Sequence, residues 1–339
     1  MREALFYERG ERGDVRCALC RFRCRIPDGD RGICSVRENR GGTLYTLVYG
    51  KAVADHVDPV EKKPLFHVLP GSLTYSIATV GCNFRCLHCQ NYSISQPIHD
   101  RLKISGTDLS PERIVENALS AGCKSISYTY TEPTIFYEYA LDTAILAHRH
   151  GLKNIFVTNG YITPEALAHI APYLDAANID LKGFSERFYR EVVHAMLDEV
   201  LASIIEYKRL GIWIELTTLI IPGMNDSDDD LNGIARFIAG KVGIDTPWHV
   251  TQFYPAYKLT TPSRTSVETL RRARQAGLDA GLRYVYEGNV AGEEGESTFC
   301  FGCGKLLVAR SGFRVSTSFL VEGRCPHCSI PLDGIGLNQ

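Results

Sequence analysis

Residues 81–91 have the sequence Gly81-Cys82-Asn83-Phe84-Arg85-Cys86-Leu87-His88-Cys89-Gln90-Asn91 and follow an apolar, β-rich run, Leu73–Val80. Three of these residues are cysteines with C-x3-C-x2-C spacing. Cysteine thiolates are the usual ligands of iron–sulfur clusters. Three thiolates hold three irons of a cubane and leave the fourth iron open, and an open metal position is typical of a reactive site. The spacing predicts a 4Fe–4S cluster at Cys82, Cys86 and Cys89, against the alternatives of a partial zinc knuckle or unrelated buried thiols.

The composition of the chain is that of a globular protein, with 45% hydrophobic and 22% charged residues in 339. This length accommodates one α/β barrel with appendages. No apolar run approaches the ~18 residues of a membrane span, and Met1-Arg2-Glu3-Ala4 lacks the apolar core of a signal peptide. We therefore expect a cytoplasmic protein without a membrane partner. A net charge of −2 argues against nucleic acid as a partner, with a local basic groove on the surface as the alternative that the net charge does not address.

Twelve cysteines without an export signal indicate metal binding and not disulfides. Apart from Cys123, which is expected to be a small buried side chain, they fall into three groups. The groups predict a Cys-rich segment at 1–70, a barrel at 71–290 and a C-terminal module at 291–339.

The first group is Cys17, Cys20, Cys24 and Cys34, in a segment rich in Arg and Gly and poor in core residues. Such a segment needs a metal to fold. Four thiolates suit zinc or an auxiliary iron–sulfur cluster, and the spacing does not choose between them. The alternative is a set of reduced thiols, one or more of them catalytic.

The last group consists of paired C-x2-C units on either side of a β-rich stretch, 313–321, which resembles a zinc ribbon. Four thiolates close a tetrahedral site, so structural zinc is expected. The ligands would be Cys300, Cys303, Cys325 and Cys328.

Strand-like and helix-like segments alternate from Leu73 onward. Ser110-Pro111 and Thr163-Pro164 are helix start signals, each an N-cap followed by proline. Alternation of this kind predicts an α/β fold in which a parallel sheet closes, fully or partly, into a (β/α) TIM-like barrel. The chemistry then lies at the carboxyl ends of the strands. The stretch 58–67, with two prolines and a charge cluster, is interpreted as a linker that could also lie over the barrel mouth.

The C-x3-C-x2-C loop resembles the signature of the radical S-adenosylmethionine (radical SAM) superfamily. Glu132-Pro133, after the second strand, is similar to the end of the Gly-Gly-Glu-Pro motif of that superfamily, with Tyr130 and Thr131 in place of the glycines. The resemblance implies that the Glu132 carboxylate receives the amino group of S-adenosylmethionine.

Further cofactor contacts are expected at the ends of other strands. Asn159 could contact the methionine carboxylate or the ribose, or could simply form a turn with Gly160. The Asp180-Leu181-Lys182 stretch resembles glycyl-radical activating enzymes, where it contacts S-adenosylmethionine, and mutual pairing of the two charges is the alternative. His249 lies near the predicted barrel mouth, although a lone histidine in a strand is more often a core residue.

The barrel motifs together resemble pyruvate formate-lyase activating enzyme, and the whole chain resembles the radical SAM component of the AmmeMemoRadiSam system. The second resemblance is carried by the four-cysteine motif followed by residues 32–39, by Glu61-Lys62-Lys63-Pro64-Leu65 and by Gly288-Asn289-Val290. It implies functional association with AMMECR-type and MEMO-type proteins. Reduction of the predicted cluster would in addition require a low-potential electron donor of the ferredoxin or flavodoxin type.

These observations predict an enzyme that reductively cleaves S-adenosylmethionine to a 5′-deoxyadenosyl radical. The radical would abstract hydrogen from an unidentified substrate, for which analogy with activating enzymes suggests a protein. One alternative is modification of a peptide or small molecule with the help of an auxiliary N-terminal cluster. The other is a non-catalytic iron–sulfur or zinc scaffold or redox sensor. Catalytic residues beyond the cluster ligands and the substrate are not predicted from the sequence.

Overall fold

The computed structural model describes residues 1–98, 103–290 and 294–338. The chain divides into two compact units, each built from three segments. The first unit contains Met1–Asp58, Leu73–Ala176 and Asp198–Ile212. The second contains Pro59–Ser72, Ala177–Leu197 and Trp213–Gln339. The predicted boundaries at residues 70 and 290 were placed by sequence composition. The two units are instead defined by which parts of the chain pack together, so they do not test the three-domain division, which stays a prediction.

The predicted fold class is confirmed. Within the described ranges the main sheet has eight strands and is a partial barrel. Its strands in the first unit are β8 (Ala54–Pro59), β9 (Leu73–Ala78), β11 (Ser125–Tyr128) and β12 (Lys153–Thr158). Those that lie wholly or mostly in the second are β13 (Ala176–Asp180), β14 (Trp213–Ile220), β15 (Trp248–Gln252) and β16 (Val285–Gly288). β11 pairs in parallel with β9 and β12, and β15 pairs in parallel with β14 and β16.

Strand β8 was not predicted, and the stretch after it is not an exposed linker. Asp58 and Pro59 end β8, and a 3-10 turn, Val60–Lys62, follows. Val60 and Leu65 are fully buried, so the stretch contributes to the core. The charges and prolines misled the interpretation because proline is tolerated at the end of an edge strand, where it interrupts no ladder.

Two α-helices begin where the capping signals Ser110-Pro111 and Thr163-Pro164 predict. Ser110 accepts a hydrogen bond from the N–H of Arg113, and Thr163 accepts one from Ala166. In the described ranges the α-helices are α1 (Tyr92–Ser95), α2 (Pro111–Ser120), α3 (Tyr137–Arg149), α4 (Pro164–Ile170), α5 (Glu186–Phe188), α6 (Leu197–Arg209), α7 (Asp228–Phe237) and α8 (Val267–Asp279). Other helical turns are Pro133–Phe136, Ala171–Tyr173 and Glu294–Glu296 (3-10) and Tyr189–Val193 and Ile238–Val242 (π).

The N-terminal part of the first unit consists of short strands in small antiparallel sheets. β5 and β6 form a hairpin whose turn residues, Gly41 and Gly42, have φ of 59° and 78°. Two adjacent positive φ values are what a two-residue hairpin turn requires. The strands are β1 (Arg2–Glu3), β2 (Tyr7–Arg9), β3 (Val15–Cys17), β4 (Arg25–Ile26), β5 (Arg37–Arg40), β6 (Thr43–Thr46), β7 (Lys51–Ala52) and β10 (Thr107–Asp108). They pair as β1-β6-β5, β2-β3-β4 and β10-β7.

The C-terminal part of the second unit is a three-stranded antiparallel sheet. Its strands are β17 (Thr298–Phe299), β18 (Leu306–Ser311) and β19 (Arg314–Ser318). Leu307 and Val308 of β18 share a buried cluster with Tyr284, Tyr286 and Phe66. The C-terminal sheet is therefore packed into the core of the second unit.

None of the helices in the described part of the chain combines the length and the apolar character needed to cross a membrane.

Candidate active site

The three-cysteine loop leaves the carboxyl end of β9 through a glycine that no other residue would replace easily. Gly81 has φ of 100°, in the region that favours glycine. A Cβ on this residue would lie 2.9 Å from Val36 Cγ1 and 3.3 Å from the carbonyl oxygen of Cys34. Close packing and an unusual backbone angle thus hold the start of the loop in place.

The cysteine sulfur atoms of this loop have polar neighbours. The backbone N–H of Phe84 donates to Cys82 Sγ at 3.3 Å, and Cys89 Sγ lies 3.2 Å from the Ser95 hydroxyl. Burial raises the pKa of the Cys82 thiol, and negative charge on Glu132 and Cys86 raises it further. Without a bound cation the thiolate form of Cys82 is therefore disfavoured relative to the thiol, and a bound cation would stabilise the thiolate. Donor type and number fit the three-thiolate site that the sequence predicts.

Glu132 lies at the end of β11 and is almost completely buried. Its Oε1 accepts hydrogen bonds from the Thr134 N–H at 3.0 Å, the Thr134 hydroxyl at 2.6 Å and the Thr158 hydroxyl at 2.7 Å. Its Oε2 accepts one from the Asn159 N–H at 2.8 Å. Burial raises the pKa of Glu132, and these hydrogen bonds act in the opposite direction. Glu132 is thus a buried acceptor that its own neighbours hold in one orientation.

Tyr130 and Thr131 stand where the resembling motif has glycines, and the structure shows how they are accommodated. Tyr130 has φ of 61°, the left-handed conformation that glycine adopts most readily. Its hydroxyl donates to Asp58, and the Thr131 hydroxyl donates to the carbonyl oxygen of Thr79 at 2.9 Å. The backbone keeps a glycine-like turn because these side chains are tied to neighbouring strands.

Asn159, at the end of β12, connects Glu132 to the cysteine loop. Its side-chain amide donates to Asn83 Oδ1 at 2.8 Å and lies 3.8 Å from Cys82 Sγ. Asn83 Nδ2 is buried and has no hydrogen-bond partner in the part of the chain that the structure describes. A buried donor without an acceptor is costly, so a ligand that supplies an acceptor would be stabilised there.

Asp180 and Lys182 lie in the second unit, at the end of β13. They form an ion pair in which Lys182 Nζ is 2.9 Å from Asp180 Oδ2. Asn225 fixes the backbone beside them, because its side-chain amide donates to the carbonyl oxygens of Lys182 at 2.6 Å and Leu219 at 2.9 Å. The two charges are thus paired with each other, which the sequence left as the alternative.

His249 lies in β15 of the second unit and belongs to a buried polar network there. Its Nε2 is 2.7 Å from Glu215 Oε2, and both side chains are almost fully buried. Glu215 also accepts hydrogen bonds from the backbone N–H groups of Phe66 and His67. Burial acts to raise the pKa of Glu215, but the hydrogen bonds from His249 and the Phe66 N–H and its electrostatic interactions with the two histidine rings hold the pKa below its ordinary value. His249 therefore has the surroundings of a satisfied core histidine.

Comparison with known proteins identifies the family. The sequence profile of the radical SAM superfamily matches residues 76–238. A protein of Methanocaldococcus jannaschii, "Uncharacterized protein MJ0808", is 47% identical over 335 residues, which cover 98% of this chain and 99% of that protein. The chain belongs to the radical SAM superfamily.

Two further matches are more distant. A second protein of M. jannaschii, "Putative glycyl-radical enzyme activating enzyme MJ1632", is 23% identical and is matched over 60% of this chain and 76% of its own length. The crystal structure of a radical SAM methyltransferase from Sphaerobacter thermophilus has a TM-score of 0.50 at 18% identity, covering 70% of this chain and 71% of that chain. That likeness shows the fold alone.

Two further cysteine groups of this radical SAM protein lie outside the three-cysteine loop. The ligand atoms of Cys300, Cys303, Cys325 and Cys328 all lie within 4.8 Å of one another and could hold a metal ion. Cys17, Cys20, Cys24 and Cys34 line one cavity in the first unit. Both groups that the sequence predicts are therefore brought together, each within its own unit.

Several residues around the radical SAM loop were missed by the sequence reasoning. Thr134 and Thr158 orient Glu132, and Asn83 meets Asn159. Asn83 lies in the predicted cysteine loop and Thr158 directly precedes Asn159, but a hydroxyl or amide gives no signal in the sequence of the partner that it will bind. Asn225, which follows Pro222 and Gly223, gives no such signal either.

Proposed function

We propose that this protein is a radical SAM enzyme of the activating-enzyme type that abstracts hydrogen from a protein or peptide. The observation that carries the proposal is the hydrogen-bonded path from Glu132 through Asn159 to Asn83. This path joins the ends of β11 and β12 to the cysteine loop and leaves a buried N–H of Asn83 for a ligand. Chemistry at the carboxyl ends of parallel strands is usual for this architecture.

In this proposal Cys82, Cys86 and Cys89 hold a 4Fe–4S cluster. When bound, the cluster and S-adenosylmethionine supply one-electron cleavage of the sulfonium to a 5′-deoxyadenosyl radical, which abstracts hydrogen from the substrate. The Phe84 N–H stabilises negative charge on Cys82 Sγ at 3.3 Å. The free N–H of Asn83 binds an acceptor on the nucleotide cofactor.

Glu132 acts mainly by position in this proposal. Three donors of the chain lie on Oε1 and only the Asn159 N–H lies on Oε2, so Glu132 orients Asn159 and Oε2 can accept from one further donor, the amino group of S-adenosylmethionine. Asp180 and Lys182 remain proposed contacts for polar groups of the cofactor. We assign no cofactor role to His249, because Glu215 occupies its Nε2.

Substrate and partners rest on similarity. The relative named as a putative glycyl-radical enzyme activating enzyme supports a protein substrate. We further propose a ferredoxin-like or flavodoxin-like electron donor, association with AMMECR-type and MEMO-type proteins through the resemblance to the AmmeMemoRadiSam system, and a cytoplasmic location.

We propose zinc as the metal of the C-terminal cysteine group. The Sγ atoms of Cys300 and Cys328 are 3.5 Å apart, and those of Cys303 and Cys325 are 3.6 Å apart. Four thiolates around one zinc ion at about 2.3 Å would have this separation. The module forms part of the core of the second unit, so its role is structural.

The experiment that tests the reaction is anaerobic reconstitution with iron and sulfide, reduction with dithionite, and assay for 5′-deoxyadenosine. We expect product from the wild type and at least a hundredfold less from Cys86→Ala. The matched control is Cys123→Ala, which removes a buried cysteine outside every group and should leave the rate unchanged. A wild type with a verified cluster but no product would favour the redox sensor.

A further inference from the structure

The N-terminal cysteines surround a cavity that the proposed reaction does not use. Cys17 ends β3, Cys20 and Cys24 follow in the next turn, and Cys34 precedes β5. All four line one cavity, whose other walls are mainly apolar: Leu19, Ile26, Ile33 and Ile135. Four thiols that line one apolar cavity can act together as metal ligands, and one cationic side chain lies among the lining residues.

That cation is Arg37, which lines the same cavity and is 2% exposed. Its Nη2 donates to Glu138 Oε1 at 2.6 Å and to the carbonyl oxygen of Leu5 at 2.9 Å. Its Nε and Nη1 have no hydrogen-bond partner in the part of the chain that the structure describes. Buried guanidinium N–H groups without acceptors lower the stability of the folded protein. An anionic ligand with several acceptor atoms in the cavity would remove this destabilisation.

The separation of the sulfur atoms distinguishes between one metal ion and a cluster. Four thiolates on one zinc ion at about 2.3 Å lie about 3.8 Å apart. The C-terminal cysteines have this separation, with pairs at 3.5 and 3.6 Å. Among the described residues, the N-terminal cysteines do not form a group of this compact, single-ion kind.

The three-cysteine loop provides an internal comparison. Cys82, Cys86 and Cys89 also fall outside any group within 4.8 Å among the residues described. In a cubane each thiolate binds a different iron, so the sulfur atoms are held farther apart than around a single ion. Like the cluster loop, and unlike the C-terminal cysteines, the N-terminal cysteines thus lack the compact arrangement that a single metal ion requires.

We propose that Cys17, Cys20, Cys24 and Cys34 hold a second, auxiliary 4Fe–4S cluster and that Arg37 donates hydrogen bonds to its sulfur atoms. A cubane with four thiolate ligands is anionic, and its sulfur atoms accept hydrogen bonds. They would therefore provide the acceptors that the free N–H groups of Arg37 lack. The proposal concerns the metal site alone and stands whether or not the proposed reaction is correct.

This site lies beside the radical SAM loop. The carbonyl oxygen of Cys34 and the side chain of Val36 are the groups that a Cβ on Gly81 would meet, at 3.3 and 2.9 Å. Ile135, which lines the cavity, follows Glu132 in the same turn. The two cysteine sites are therefore in contact through backbone and apolar side chains of one unit.

The test is metal analysis of the full-length Cys82→Ala/Cys86→Ala/Cys89→Ala variant after anaerobic reconstitution. We expect about four irons and four acid-labile sulfides per chain, and a reduced cluster signal by electron paramagnetic resonance. Adding Cys17→Ala/Cys20→Ala should abolish that iron, while the matched control Cys300→Ala/Cys303→Ala should retain it.

A triple variant without iron, or with a second zinc that Cys17→Ala/Cys20→Ala removes, would overturn the proposal. The iron count of the triple variant decides the question even if the five-site variant fails to fold. Arg37→Lys keeps the buried charge but removes the two free N–H groups. It should retain the iron and shift the midpoint potential of the auxiliary cluster, and an unchanged potential would contradict the role of Arg37.

Discussion

Glu132 Oε2 accepts a hydrogen bond of 2.8 Å from the backbone N–H of Asn159, across the ends of two neighbouring parallel strands. The same carboxylate is held by Thr134 and Thr158. Because Asn159, at the end of β12, also donates to Asn83, Glu132 at the end of β11 helps to position the cysteine loop that follows the adjacent strand β9.

Replacing Glu132 by Gln should destabilise the site without a large change in volume. A Gln side chain brings N–H groups toward donors that need an acceptor, which costs about 1–3 kcal/mol of unfolding free energy. We expect this loss in denaturant unfolding, together with weaker S-adenosylmethionine binding by calorimetry. The control is Glu165→Gln, an exposed glutamate in the same unit, for which a change below about 0.5 kcal/mol is expected. Equal effects of the two substitutions would contradict the assignment.

Gly81→Ala should be more harmful than an alanine at a glycine with the same type of backbone. At Gly81 the added methyl group meets Val36 and Cys34, whereas at Gly211, with φ of 77°, it meets nothing within 4 Å. Both substitutions destabilise the protein because alanine disfavours a positive φ. Only Gly81→Ala also overpacks its surroundings, which should lower the free energy of unfolding by a further amount of about 1–3 kcal/mol. The midpoints of denaturant unfolding measure the difference. Equal midpoints would contradict this prediction and would show that Val36 and Cys34 move to accommodate the added methyl group.

The buried Arg37–Glu138 pair should show strong coupling. Its side chains are 2% and 1% exposed, with Nη2 and Oε1 2.6 Å apart. Arg37→Met leaves a buried carboxylate alone and should cost about 3–5 kcal/mol, whereas the double replacement by Met should cost less than the sum of the single changes. The exposed pair Arg113–Glu116 serves as the control cycle, with coupling below about 1 kcal/mol. Additive effects at Arg37 and Glu138 would refute the coupling.

Stability should fall on acidification because of His67. Its Nδ1 lies 2.6 Å from the carbonyl oxygen of Asp333 and its Nε2 2.6 Å from the Tyr286 hydroxyl, which suits a neutral ring that donates once and accepts once. Burial lowers the pKa of His67 from 6.5 to about 4. The unfolded chain therefore binds the extra proton first, and stability decreases as pH falls from 6.5 toward about 4.

The loss from His67 over that range should be on the order of 3 kcal/mol. His67→Gln should flatten this part of the pH profile of unfolding, and His150→Gln, at an exposed position, should not. A profile that keeps its slope in His67→Gln would assign the acid sensitivity to other groups.

Local patterns were sufficient for much of the fold. Ser110 and Thr163 predict their helix starts because an N-cap contacts a backbone N–H only three residues away. The alternation of strands and helices predicts the parallel sheet in the same way. Strand β8 escaped because its charges and proline are tolerated at a sheet edge, and only the neighbouring strand reveals the pairing.

The sequence by itself determined which cysteines belong together, because metal ligands follow spacings along the chain, and it determined the superfamily. Only the tertiary structure decided what surrounds them: the Glu132–Asn159–Asn83 path, the free N–H groups of Arg37, and the Glu215 partner of His249. These relationships join residues about 30 to 100 positions apart, on different strands and helices. These contacts matter for stability because a polar group that is buried away from water is destabilising unless it forms a hydrogen bond. Its partner is a residue that is close in the fold and need not be close in the sequence.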